Sequence, residues 1–215
     1  MQVRRGGAGL IARGVWVRAW LAIAASICMR GAFAQAEACS PWVAKVLSVQ
    51  GPVEVERGGA TPDGSAAAGR ARWRAVEGDE TLCPGDHIRV GPLGRAAVQL
   101  ADEVQTVLRL DERTTLSFPL PREPEAPPWL DLLRGVMHFI TRVPRRLQIH
   151  TPFVNAAVEG TEFVLRVGEA ETELIVFEGR VRFENAAGGL VVASREGALA
   201  RAGEVPVRRV LVKPR

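Results

Sequence analysis

Residues 151–184, TPFVNAAVEGTEFVLRVGEAETELIVFEGRVRFE, alternate between apolar and polar side chains with a period of two. The alternation is clear in residues 164–168 and 173–177, β-branched and aromatic residues are frequent, and no period of 3.6 residues is present. This pattern is typical of half-buried strands and not of amphipathic helices. It predicts a strand, a tight turn at Gly160-Thr161, a second strand, and two further strands joined at Gly179. A chain of this kind has to build its core from sheets.

Short alternating segments continue on both sides of this stretch. Two strands are predicted in residues 42–56, broken at Gly51-Pro52, and others in residues 96–100, 106–110, 114–118, 129–142 and 205–212. Residues 57–70 are rich in Gly, Ala, Ser and Pro and are predicted to be a loop, and residues 120–128, with four prolines and three charged residues, are predicted to be a loop or an internal linker. The fold class is therefore all-β, a sandwich or a roll with a short solenoid as the alternative, and little or no helix.

Glycine pairs mark the predicted corners of these sheets. Gly-Asp pairs suit turns because glycine accepts a positive φ and the Asp side chain can cap its own turn. A second unit, strand, glycine, any residue, Val or Met, strand, recurs three times and predicts bends or bulges. The predicted structural turns are at Gly51, Gly78, Asp79, Gly85, Asp86, Gly135, Gly160, Thr161 and Gly179.

The first 34 residues have the layout of a secretory signal peptide. Four arginines precede an apolar run at residues 19–29, and Gly31-Ala32-Phe33-Ala34 supplies an Ala-x-Ala cleavage site. The apolar run has eleven residues, whereas a membrane-spanning helix needs about 20. We expect cleavage near Ala34 and one domain over residues 35–215, without a membrane span, in the periplasm or outside the cell. A retained leader acting as an anchor is the alternative.

The charge balance changes when the leader is removed. The chain has 28 basic and 24 acidic residues, and five of the basic ones lie in the leader, which has no acidic residue. The remaining 23 basic and 24 acidic residues give a net charge of −1. The sequence pI of about 9.6 therefore reflects the leader, and nucleic acid is not an expected partner.

Cys39 and Cys83 are the cysteines of the predicted mature chain. A single pair in an exported protein predicts one disulfide, whereas a redox catalyst needs a close Cys-x-x-Cys pair. His87, His138 and His150 lie far apart in sequence without ligand-type spacing. No metal or cofactor is predicted from them.

A series of short motifs resembles the FecR domain family, which is named for a periplasmic regulator of ferric-citrate transport. The motifs are Gly51-Pro52-Val53, WRAVEGD from Trp73, LCPGDHI from Leu82, GRAAVQL from Gly94, Thr151-Pro152, VEGTEF from Val158, and Glu178-Gly179-Arg180-Val181. They extend from about Trp42 to Gly203, which is nearly all of the mature chain. The pair Gly-Thr-x-Phe and Glu-Gly-x-Val is the most specific of them.

The resemblance implies an all-β periplasmic module that relays or scaffolds interactions and has no catalytic residues or cofactor. Direct anti-sigma activity is not expected, because the sequence offers no cytoplasmic region of sufficient size and no transmembrane helix. The chain is similar instead to exported proteins in which the domain follows a signal peptide.

Four residues are candidates for binding a partner. Arg142, Arg145 and Arg146 form a local basic cluster, predicted to lie in a loop, that either is simply solvated or binds an acidic protein surface or an anionic envelope polymer. Trp129 follows two prolines and is a candidate for stacking on a sugar.

Three classes of function follow, in order. A non-enzymatic module that binds an envelope protein, in signalling or assembly, is the first, and a module that binds peptidoglycan or another envelope glycan is the second. An unrecognised hydrolase is third, because the sequence contains no nucleophile elbow and no phosphate-binding loop before a helix. We therefore predict that the protein is not an enzyme.

Overall fold

The computed structural model describes residues 39–58, 73–76, 78–120 and 129–209, and these residues form strands without a helix. The predicted all-β class is confirmed. The predicted leader 1–34, most of the predicted loops 57–70 and 120–128, and residues 210–215 lie outside the described residues. The strands are β1 (Ala44–Gln50), β2 (Val53–Glu56), β3 (Arg74–Ala75), β4 (Thr81–Leu82), β5 (His87–Val90), β6 (Arg95–Leu100), β7 (Val107–Leu110), β8 (Thr115–Ser117), β9 (Trp129–His150), β10 (Asn155–Val167), β11 (Glu171–Asn185), β12 (Gly188–Ala193), β13 (Gly197–Arg201) and β14 (Val207–Arg209).

The strands pair in two rows that share the long strand β9. The first row runs β14-β13-β11-β10-β9-β7-β6-β1-β4, and the second runs β3-β2-β5-β8-β9, with β12 paired to β11. Every pairing is antiparallel. β1 and β2 are consecutive in the chain but belong to different rows, so the chain changes row at Gly51-Pro52, as predicted. The strands that the structure describes thus form one 14-stranded sheet, in agreement with the predicted all-β class.

β9 folds back on itself. Its 22 residues would span roughly 70 Å if fully extended, yet the Trp129 ring lies 6.5 Å from the ring of His150 at the other end. The strand first pairs with β8, then with β7 and β10, and finally with β10 alone. The changes of neighbour accompany a bend at Gly135 and an irregular segment at residues 141–144. The predicted strand, glycine, strand in residues 129–142 is present as a single strand that bends at Gly135 and continues through it.

Gly135 shows why glycine is required at these bends. Its φ is +95°, and a β carbon added there would lie 2.3 Å from the Cα atom of Thr114. The buried Thr114 hydroxyl accepts a hydrogen bond from the Val136 N–H at 2.9 Å and donates one to the Val136 carbonyl oxygen at 3.1 Å. The chain therefore turns tightly around Thr114. Gly179 has a similar φ of +96° inside β11, so the two strands predicted to join there form one bent strand.

The prediction of a tight turn at Gly160-Thr161 is wrong. β10 continues without interruption from Asn155 to Val167, and its pairing shifts register between Gly160 and Glu162 on both sides. Gly160 pairs with Arg145 of β9 and with Gly179 of β11. Because β9 and β11 pair with the backbone of β10 on both of its edges, the strand continues through Gly160-Thr161 and forms a bulge instead of the turn that Gly-Thr favours locally.

The Gly-Asp turns are present, with one difference from the prediction. At Gly78-Asp79 the positive φ belongs to Asp79, at +67°, and not to the glycine. At the next pair Gly85 has a φ of +92°. Short polar side chains such as Asp tolerate the left-handed region, so a positive φ at Asp79 costs little free energy.

A polar network fixes the start of the domain. Cys39 and Cys83 form the predicted disulfide, with a sequence separation of 44 positions. Closing a loop of that length stabilises the fold by about 4 kcal/mol in the loop-entropy model. The Asp86 carboxylate, 1% exposed, accepts a hydrogen bond from the Cys83 N–H at 2.8 Å and pairs with Arg57. Arg57 also contacts Glu80 at 2.7 Å.

The core lies on the inward-facing positions of both rows. Phe139 of β9 stacks on Phe163 of β10 with ring centroids 4.7 Å apart, and Phe183 of β11 is fully buried. These residues sit at alternate positions, as the period-two pattern predicts. The intervening side chains face outward and form the surfaces of the strands.

Candidate functional site

An outward-facing basic surface covers the end of β9 and its neighbours β10, β11 and β12. Arg146 lies opposite Glu159, which lies opposite Arg180. Residues directly opposite each other in antiparallel strands project from the same face. Arg182, two positions after Arg180, therefore shares that face. We call the surface formed by Arg146, Arg180, Arg182, Glu159, Ala157 and Val191 the basic face.

One carboxylate forms ion pairs with two guanidinium groups on the basic face. Glu159 lies 3.9 Å from Arg146 and 3.7 Å from Arg180. Both arginine side chains are largely exposed, at 87% and 69%, so these ion pairs are weak. Arg182 has no ion pair among the described residues. The residues of the basic face thus carry three positive charges and one negative charge, and Glu184, two positions after Arg182 on the same side of β11, adds a second carboxylate at its edge.

A shallow cavity of about 280 Å³ lies within the basic face. Its floor contains Ala157 and the half-exposed Val191, and its sides contain Arg180, Arg182 and Glu159. Ala157, Arg182 and Val191 lie opposite one another on three adjacent strands. The hollow forms because the short side chain of Ala157 lies beside long arginine side chains. Its floor is apolar and its sides are mostly positively charged.

Arg208 and Glu196 border the basic face on the side of β12. Arg208 donates a hydrogen bond to the Val191 carbonyl oxygen at 2.8 Å and pairs with Glu196. The Ala193 N–H, 2.8 Å from Glu196, is the main cause that holds the pKa of this carboxyl below its ordinary value, and Arg208 adds to the effect. Glu196 is therefore ionised and neutralises Arg208, which leaves the charge of the basic face unchanged.

The predicted basic cluster is divided by the fold. Arg146 joins the basic face, whereas Arg142 is exposed on the irregular segment 141–144. Arg145 pairs through its backbone with Gly160. The expectation that the cluster lies in a loop is wrong: all three residues belong to β9. β10 holds the chain extended on both sides of the irregular segment.

Trp129 lies at the start of β9 and is partly buried. Its ring stacks on His150 with an angle of 26° between the planes, and His150 Nδ1 is 3.4 Å from a carboxylate oxygen of Asp131. One face of the indole is therefore occupied by the protein's own imidazole. The fold does not bring Trp129 onto the basic face defined above.

The remaining titratable groups give no sign of an active centre in the described part of the chain. There, no group of three His, Cys, Asp or Glu side chains is placed to hold a metal ion. Asp79 is the second residue with a shifted pKa, lowered by a hydrogen bond and the charge of Lys45 at 2.8 Å. Asp79 and Glu196 are both surface residues in ion pairs, and neither lines the cavity of the basic face.

Sequence reasoning missed Arg180 and Arg182 as members of the site. They alternate with the buried Val181 and Phe183, so the period-two pattern already places both on an outward face. Their position beside Arg146 depends on the register of β9, β10 and β11, which no local pattern contains.

Residues 86–182 match the family model described as FecR protein. This part of the chain is similar to FecR domains. This match includes the basic face except Val191, and it confirms the resemblance read from the glycine motifs. FecR proteins are regulatory and not enzymatic in kind.

The chain is also similar in structure to a candidate anti-sigma factor from Parabacteroides distasonis. Two crystal structures of that protein, at 1.65 and 2.50 Å resolution, each share 16% sequence identity with this chain at a TM-score of 0.49. The similarity covers 58% of this chain and 59% of that protein. No curated protein matches the chain in sequence. None of the described residues belongs to a helix with the length and hydropathy of a membrane span.

Proposed function

We propose that this FecR-domain protein is an extracytoplasmic, non-enzymatic interaction module that takes part in envelope signalling or assembly. Its basic face binds an acidic surface of a partner protein. The observation that carries the proposal is the excess of guanidinium groups over carboxylates around the Ala157–Val191 hollow.

The charges on the basic face favour an acidic partner over solvent alone. Arg180 and Arg182 lie on the same face of one strand, and Glu159, the carboxylate that pairs with Arg180, is shared with Arg146. A carboxylate-bearing surface relieves the repulsion between these arginines and accelerates encounter through its opposite charge. The two apolar floor residues add a small hydrophobic contact at the centre.

Two further features support a role outside the cytoplasm and without catalysis. The Cys39–Cys83 disulfide suits an oxidising compartment, and FecR domains are typically extracytoplasmic. Their regulatory character supports protein binding over chemistry. The predicted leader supports export of residues 35–215 as a single domain.

The proposal is tested by charge reversal on the basic face. The variant Arg180→Glu/Arg182→Glu is compared with Arg134→Glu/Arg209→Glu, which has the same net charge change on exposed strand positions elsewhere. A photo-crosslinking residue at Ala193, opposite Arg180, reports the protein contacted in an envelope extract, and mass spectrometry identifies it.

We expect one acidic protein to be crosslinked, with the yield lowered about tenfold or more by the basic-face variant and nearly unchanged by the control. Raising the salt concentration should weaken crosslinking of the unmodified protein and have less effect on the variant. Equal yields from the two variants would contradict the proposal. Loss of capture after glycan digestion of the extract would favour an envelope glycan instead.

A further inference from the structure

A second cavity, of about 460 Å³, lies on the outward face of β1, β6, β7 and the middle of β9. Its lining includes Ser48, Gln50, Ala97, Arg109 and His138. None of its lining residues belongs to the basic face. The volume lies within the range of roughly 300–1,000 Å³ that is usual for small-molecule sites.

Strand register builds this cavity from one row of side chains. Ser48 lies opposite Ala97, Ala97 opposite Arg109, and Arg109 opposite His138. These four residues therefore project from the same face of adjacent strands. The methyl group of Ala97 forms the floor, and the longer side chains around it form the sides.

The charged groups around the cavity are paired, with one exception. Arg95 lies 3.1 Å from Asp111, and His138 Nε2 lies 2.9 Å from a carboxylate oxygen of Glu162. Arg109 is exposed and has no ion pair among the described residues. The cavity thus presents one guanidinium group whose charge is not balanced by the part of the chain that the structure describes.

We propose that this cavity binds a ligand through a single carboxylate group held by Arg109. A guanidinium donates two parallel hydrogen bonds to a carboxylate, which carries one negative charge. A phosphate monoester carries about −1.5 to −2 at neutral pH and would remain partly unbalanced here. Ser48 and Gln50 supply further hydrogen-bonding groups, and Ala97 and Val136 supply apolar contacts to the body of the ligand.

The carboxylate can belong to a free small molecule or to the C-terminus of a peptide. Four probes separate these sources and test the charge: phenylacetate, its neutral analogue phenylacetamide, phenyl phosphate, and N-acetyl-Ala-Phe with a free C-terminus. Binding to the oxidised protein is followed by the NMR shifts of backbone amides in β6, β7 and β9. The variant Arg109→Gln is compared with Arg134→Gln, an exposed arginine of β9 that does not line the cavity.

We expect phenylacetate to bind at least about tenfold more tightly than phenylacetamide and than phenyl phosphate. Arg109→Gln should remove that preference, while Arg134→Gln leaves it intact. Tighter binding of the peptide than of phenylacetate identifies a chain end as the ligand, and the reverse identifies a small molecule. Equal affinity for the carboxylate and the amide, or an unchanged preference in Arg109→Gln, would overturn the proposal.

Discussion

Replacing Asp86 with asparagine removes a negative charge from a carboxylate that is 1% exposed. One of its oxygens accepts the Cys83 N–H at 2.8 Å and pairs with Arg57, and the other accepts the Gly58 N–H at 3.2 Å. Asparagine has nearly the same shape. It keeps only one acceptor oxygen, however, and places an amide NH₂ group against a donor.

The expected cost follows from what remains unpaired. Asp86→Asn leaves a backbone N–H without its acceptor. It also removes one of the two carboxylates that pair with Arg57, whose side chain is 31% exposed, and Glu80 remains as the other. Removing one partner of a buried ion pair costs about 3–5 kcal/mol. Because Glu80 still compensates part of the Arg57 charge, we expect a value at the lower end, near ~3 kcal/mol.

Urea unfolding of the oxidised protein measures this cost. With an m-value of about 2 kcal/mol per M, a loss of ~3 kcal/mol moves the midpoint down by about 1.5 M urea. The matched control is Asp111→Asn, in an exposed pair with Arg95 at 3.1 Å, for which about 0–1 kcal/mol is expected. If both variants shift the midpoint equally, Asp86 does not anchor the start of the domain as described.

Two other substitutions test the bends and the charges. Gly135→Ala places a β carbon at a residue of positive φ and within 2.3 Å of a backbone atom, so it should lower the free energy of unfolding by about 3 kcal/mol or more. The control is Gly168→Ala, in which the nearest atom to the added β carbon is 3.5 Å away. Similar urea midpoints for the two variants would contradict the proposed bend. Glu196 has a lowered pKa in the folded state, so its stabilising effect is present above the unfolded-state pKa and is lost as the pH falls through the folded-state pKa. Glu196→Gln should therefore flatten the decline of the melting temperature on acidification, and an unchanged pH profile would refute this role.

Local patterns predicted much of this fold because strand burial is a local property. Alternation in residues 164–167 and 173–177 correctly separated inward from outward side chains. The glycine units at Gly51, Gly135 and Gly179 marked positions of positive φ, where other residues are strained. A single cysteine pair left one possible disulfide between Cys39 and Cys83, and the structure contains it.

The candidate site was predicted only in part, because a surface of side chains from several strands depends on pairing. The basic cluster was visible in the sequence, but its assignment to a loop was wrong. Arg146 and Arg180 lie on either side of Glu159 only because β10 pairs with both of their strands in one particular register. Arg109 and His138 become neighbours in the same way, 29 residues apart in the chain.

Local sequence patterns therefore establish the class of fold and the faces of the strands, and they carry the similarity to FecR domains that the family model finds in residues 86–182. These follow from side-chain period and from the backbone freedom of glycine, which act over a few residues. The tertiary structure decided that β10 passes through Gly160 without turning and that β9 folds back until its ends meet. Both depend on hydrogen bonds to neighbouring strands, and those bonds also decide which charges share a surface.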